Sequence, residues 1–166
     1  MKPAFSNAKY EATGETRKQG NVTLHRIRLL TKIETFEVGT FGGWIENENN
    51  LAVGGNAWVD GDAQVYGNAR VGGNAQVYGD ALIYGDARVY GNARVTQRIP
   101  YATRSDGYVF TVVSTHEGPR VIAGCRYFTF EEAREHWNQT RGGTPLGDES
   151  LALVDFLERI AVIRGF

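Results

Sequence analysis

The reactive side chains are few. His25, His116 and His136 are the chain's histidines, and Cys125 is its single cysteine. A histidine is the usual general base, and a cysteine becomes a nucleophile when an imidazole beside it takes its proton. Cys125 follows Val121, Ile122 and Ala123 in a stretch that reads as strand, and a cysteine among apolar neighbours is more often buried and inert. A Cys125–His116 pair across a hairpin is the alternative. The Walker phosphate loop, the nucleophile elbow, HExxH and paired cysteines do not occur in the sequence. Short oxygen side chains are more regular: Asp62, Asp80 and Asp86, with Asn56, Asn68, Asn74 and Asn92, recur every six residues. Rows of oxygen ligands can hold calcium. They serve equally to bond corner backbone and one another in ladders, which is the expected role here. Neither a metal nor a cofactor is expected.

A repeat positions these residues. From 53 to 95 the chain reads VGGNAW, VDGDAQ, VYGNAR, VGGNAQ, VYGDAL, IYGDAR, VYGNAR and then Val95. Val or Ile opens each hexapeptide, Gly followed by Asn or Asp stands in the middle, and Ala precedes the last residue. A fixed short period means a solenoid. The motif holds too much Gly and β-branched residue for a helix, and six is not a helical period. It suits a short strand on each Val or Ile followed by a corner, because Gly, Asn and Asp tolerate positive φ best. Ala lies two residues before the next Val, so both point inward.

This pattern resembles the hexapeptide-repeat, left-handed parallel β-helix family. The resemblance implies three hexapeptides per coil, so residues 18 apart should stack, and it alone implies the hand of the coil. Many proteins of that fold are acyltransferases that use acyl-CoA or acyl carrier protein, with a histidine base in or beside the coils. No histidine stands between 45 and 103, so the family's catalytic residue has no counterpart there, and His116 is the candidate for such chemistry. The stretch LHRIRLL…GTFGGWIENENNLA ahead of the repeats is similar to uncharacterised bacterial and prophage-borne hexapeptide proteins. That likeness covers residues 9 to 95 and implies no established activity.

The flanks read as two further units. Residues 1–44 are expected to form a β-rich N-terminal cap, since the end of a solenoid exposes strand edges and an open core. Within them, 1–20 reads as polar chain with turns at Gly14 and Gly20, and 21–30 and 34–38 read as strands. Residues 45–103 are the β-helix, with an imperfect hexapeptide at Ile45 and Leu51 before the register resets at Val53. Residues 104–166 are expected to be a ββαα unit: strands at 108–114 and 121–129, and a helix opened by the capping box Thr129-Phe130-Glu131-Glu132. A loop follows, then a helix at 150–163 with Leu153, Val154, Leu157, Ile160 and Ala161 on one face. The expected fold class is therefore mainly β: a short left-handed parallel β-helix with a β-rich N-terminal cap and a small α/β C-terminal unit.

The net charge of −1, from 18 basic and 19 acidic residues, argues against a generic nucleic-acid binder. No apolar run approaches membrane-spanning length, the first twenty residues lack an apolar signal region, and one cysteine allows no internal disulfide, so a cytoplasmic protein is expected. The residues flanking each inward Val point outward. One face should carry Arg70, Gly72, Arg88 and Tyr90; a second Trp58, Asp60, Gln76, Tyr78 and Arg94; a third, free of charge, Gln64, Tyr66, Leu82 and Tyr84. Exposed Tyr, Trp, Leu and Arg are interface residues by composition; β-propensity alone also explains them. The expected function is a non-enzymatic, self-associating platform, a dimer or trimer held through Tyr66, Leu82 and Tyr84. It would bind a protein or small molecule, and the prophage likeness makes a partner in host defence an example. The alternative is a transferase using an acyl or nucleotide donor.

Overall fold

The computed structural model describes residues 2–166. Strand β1 (Tyr10–Gln19) turns at Gly20 and pairs antiparallel with β2 (Val22–Leu29). Residues 10–19 are thus a strand and not turn-rich chain. Their alternation is masked by a register shift between Ala12 and Thr16, where Gly14 adopts φ +95°. The expected strand at 34–38 is absent: Ile33 and Phe36 bridge across a turn in which Glu34 has φ 44°, and Val38 is exposed. Strand β3 (Phe41–Ile45) pairs with β2 on one side and enters the repeat on the other.

Seven two-residue strands follow: β4 (Trp58–Val59), β5 (Gln64–Val65), β6 (Arg70–Val71), β7 (Gln76–Val77), β8 (Leu82–Ile83), β9 (Arg88–Val89) and β10 (Arg94–Val95). They stack in parallel on the strand 18 residues away, giving the ladders β4–β7–β10, β5–β8 and β6–β9, with β3 added to β5. Every Val, Ile and Ala of the motif from Ala57 to Val95 is at most 3 % exposed, and together they form one core. Gly73 shows why the corner needs glycine: φ is +64°, and a Cβ there would lie 3.0 Å from the backbone nitrogen of Gly91 one coil on. The register does not reset at Val53. Leu51 bridges to Val71 and fills that core position, while Val53 is 45 % exposed in a corner two residues longer than the later ones.

In later coils Ala75 and Ala87 accept hydrogen bonds at their carbonyls from Trp58 and Arg70 of the coil before. The first coil has no predecessor, and side chains supply the missing donors. Lys9, 2 % exposed, donates from Nζ to the carbonyls of Ala57 (2.6 Å), Ala52 (3.1 Å) and Gly55 (3.2 Å). Asn50 donates from Nδ2 to Ala69 (2.9 Å) and Gly67 (3.1 Å), and the Tyr10 hydroxyl donates to Leu51 (2.6 Å). Buried backbone acceptors left alone would be costly, so these three residues close the upstream end.

The downstream end meets a four-stranded antiparallel sheet, β11 (Tyr101–Thr103), β12 (Val109–Val113), β13 (Arg120–Ala123) and β14 (Arg126–Phe128), in that order. The expected pair of strands is therefore four. Residues 121–129 split at Gly124 (φ +63°) into a two-residue hairpin, and Tyr101 opens the sheet. Helix α1 (Phe130–Arg141) starts at the expected capping box. Helix α2 (Pro145–Arg164) starts earlier than expected, because Thr144 caps it and Pro145 preorganises its first turn. The sheet is apolar on both faces. Val113 and Ile122 join the repeat's core, whereas Phe110, Val112, Val121 and Ala123 pack with Phe130, Trp137, Val154, Leu157 and Ala161 of the helices. The last coil is tied to it by Arg94 N donating to Ser114 O at 2.9 Å. Among the described residues no helix is long and apolar enough to cross a membrane.

Candidate functional site

Two-residue strands with inward Val leave one outward residue on each side, and the parallel register turns these into columns. On the third face Tyr66 stacks on Tyr84, with ring centroids 5.6 Å apart and planes 16° off parallel. The column runs on to Tyr101, edge-on to Tyr84 at 5.9 Å. Leu82 pairs with Gln64 and is half-buried. This face is not free of charge, contrary to the sequence reading: the Arg98 guanidinium lies 5.4 Å from the Tyr84 ring. Arg98 and Tyr101 were missed as members of this face because they follow the last hexapeptide, where the period has ended.

On the first face Arg70 pairs directly with Arg88, and both are exposed. Tyr90 folds back over Gly72, where a Cβ would come within 2.8 Å of its ring.

The second face carries two depressions. Trp58 is 1 % exposed and so is no surface contact. The N-terminal segment covers it, with the Phe36 ring 6.3 Å away and Gly42 against the indole. Glu34 fastens that segment down, accepting from Asn56 Nδ2 (3.2 Å) and Gln76 Nε2 (3.5 Å). Two adjoining depressions share Tyr78 and Arg94. One, about 330 Å³, lies against Phe36, Trp58, Asp60 and Gln76; the other, about 350 Å³, lies against Ser114, Thr115, His116 and Phe166. The result is a groove floored by coil residues and walled at its two ends by the N-terminal segment and the C-terminal unit. It offers an aromatic ring, a guanidinium, a carboxylate and hydroxyls to a ligand, which is the mixture that small-molecule sites use. Phe36, Ser114 and Thr115 carry no sequence signal for this role.

The histidines separate. His116 lines the groove, is exposed, and has Glu117 3.7 Å from Nε2. His25 packs edge-on to Phe5 at 5.6 Å. His136 lies against Trp137 (4.7 Å) and Phe128 (5.1 Å), where burial first and Arg126 second hold its pKa below the usual imidazole value. Cys125 is exposed in the turn between β13 and β14, not buried in a strand.

The corner residues form ladders in part. Asn68 donates to Asp86 at 2.9 Å and Asn74 to Asn92 at 3.3 Å, both 18 residues apart. Asp62 instead pairs with Arg17 at 2.8 Å, whose hydrogen bond holds its carboxyl below the usual carboxylate range. Arg17 in turn lies 4.3 Å from the Trp44 ring. Among the described residues no group of three His, Cys, Asp or Glu is placed to hold a metal ion.

A family model described as YdcK Beta solenoid repeat matches residues 63–75, 75–88 and 87–97. The matches lie along the ladders described above, the third ending two residues past β10, and support a β-solenoid repeat. No curated protein matches the chain.

Proposed function

We propose that the chain is a non-enzymatic, self-associating β-solenoid platform that binds a small ligand or a segment of a macromolecular partner. The observation that carries this reading is the groove over β4–β7–β10, in which Tyr78 and Arg94 lie between walls supplied by both end units. A solenoid of two-residue strands is rigid, so it presents such residues with little ordering cost on binding. Self-association uses the third face, where Tyr66, Leu82 and Tyr84 form a preordered strip and Arg98 adds a polar rim. The coils are left-handed in this proposal, on the strength of the hexapeptide resemblance. The similarity to prophage-borne hexapeptide proteins supports an accessory role in a cytoplasmic setting, such as binding and blocking a component of host defence. Native mass spectrometry of protein purified from its own cells tests the platform reading. An assembly carrying a ligand or partner, lost in the Tyr78→Ala/Arg94→Ala double variant, is the expected result. A bare monomer that no lysate fraction alters would overturn it.

The position of His116 favours a second reading, a transferase, because it is the one histidine lining the groove. No side chain other than Glu117 pairs with its ring among the described residues. Consumption of acetyl-CoA by wild type and not by His116→Ala would establish that reading against the platform.

A further inference from the structure

We infer that the cleft beside Arg70 and Arg88 is an oxyanion site that takes the phosphate group of a small molecule. Cross-strand like charges are destabilising, and strands neighbouring in a ladder lie about 4.8 Å apart. Arg70 and Arg88 are direct register partners in β6–β9. Among the described residues, neither has a carboxylate within ion-pair distance or a side-chain hydrogen bond, and of the eight arginines without a carboxylate partner these two are the ones set opposite each other in a ladder. The two guanidiniums open on a cleft of about 350 Å³ completed by Asn47, Asn49, Asn68 and Asp86. Guanidinium forks and amide N–H groups are the donors that recognise phosphate oxygens.

The acidic groups nearby are already engaged. Asp86 accepts from Asn68 Nδ2 at 2.9 Å, and Glu46 accepts from the Gly67 backbone at 2.7 Å. The lining sets Arg70 and Arg88 against Asp86 alone, a net single positive charge that favours an anion. Beyond Arg70 the surface continues into a shelf on which Ala52, Val53 and Tyr90 are the apolar members and Glu48 and Asn49 the polar ones, with Val53 45 % exposed. Phosphate at the arginines and an organic group on that shelf fit one phosphomonoester. This site is on a different face from the groove and does not depend on the reading given to it.

Calorimetric titration of the full chain with inorganic phosphate and, separately, with adenosine monophosphate tests the inference, against sodium chloride at matched ionic strength. Both phosphates should bind where chloride does not, the monoester more tightly if the shelf takes part. Arg88→Gln and Arg70→Gln, both at exposed positions, should each weaken binding roughly tenfold. Asp86→Asn should strengthen it, since it removes the one carboxylate lining the cleft. Equal binding by wild type and both arginine variants, or no phosphate binding beyond chloride, would overturn the site. Weaker binding by Asp86→Asn would do the same. Equal affinity for the two phosphates would assign the site to free phosphate and leave the shelf without a role.

Discussion

Replacing Lys9 with Met tests whether a side-chain donor caps the first coil. Lys9 Nζ is the donor to the Ala57, Ala52 and Gly55 carbonyls, and among the described residues it has no carboxylate partner. Methionine keeps the stem's packing and removes the donors. The Ala57 bond is fully buried, so orphaning that carbonyl costs about 1–3 kcal/mol. Ala52 and Gly55 are exposed residues, so water replaces much of what their carbonyls lose. A loss near 2 kcal/mol at neutral pH follows, or roughly 4–8 °C in Tm for a chain of this size. The pH dependence is a sharper signature. Burial lowers the Lys9 pKa from 10.5 to about 8. Between these values the unfolded chain binds the proton and the folded chain releases it, so wild-type stability from this group rises with pH. This pH-dependent part of the stability is fully present above 10.5 and is lost as pH falls through 8. From pH 8 to 10 the gain is about 2 kcal/mol. Tyr10, pushed up to about 12 by burial, contributes in the opposite sense, with stability present below 10 and lost as pH rises through 12. The measurement therefore stops at pH 10. Urea unfolding followed by circular dichroism at a series of pH values should show the wild-type-minus-Lys9→Met gap widening from about 2 to about 4 kcal/mol. A gap near zero at pH 7 would refute the capping argument, and one that stays flat to pH 10 would show that Lys9 keeps its proton in the folded chain.

Three further outcomes are expected. Val71→Asp should abolish cooperative unfolding, because Val71 is 1 % exposed in a core with no polar partner and an unpaired carboxylate there costs several kcal/mol; an unchanged Tm would count against the inward register. Gly73→Ala should cost about 2–3 kcal/mol, combining positive φ with the close approach to Gly91, whereas Gly143→Ala, with φ +72° and open space around it, should cost about 1; equal losses would mean that the coils do not press together at that corner. Tyr84→Glu should yield a folded monomer by light scattering if the third face is the self-association surface, and an assembly of unchanged mass would move the interface elsewhere, with the exposed Phe156 and Ile163 on α2 the next place to look.

The repeat was legible in the sequence because every hexapeptide solves the same local problem with the same residues. The period of six, the inward Val and Ala, the glycine corner and the partners 18 residues apart all rest on near-neighbour geometry repeated, and the ladders follow them. The Thr129 capping box was legible for the same reason, since both of its hydrogen bonds lie within four residues. What tertiary structure alone decided is how the ends are closed and which outward residues stay outward. Lys9 reads as an ordinary polar residue of a charged terminus, and it becomes a buried cap only because the first coil lacks a predecessor to satisfy Ala57. Trp58 reads as an outward strand residue like Gln76 and Arg94, yet Phe36 and Gly42, distant in sequence, cover it. Arg98 and Tyr101 reach the third face after the period has ended. Strand β1 hides behind a bulge, and β13 and β14 behind a glycine turn, because pairing partners rather than local alternation hold them in place. The groove is the sum of these placements: its floor is written in the hexapeptides, and its walls exist only where the two end units fold back against the coils.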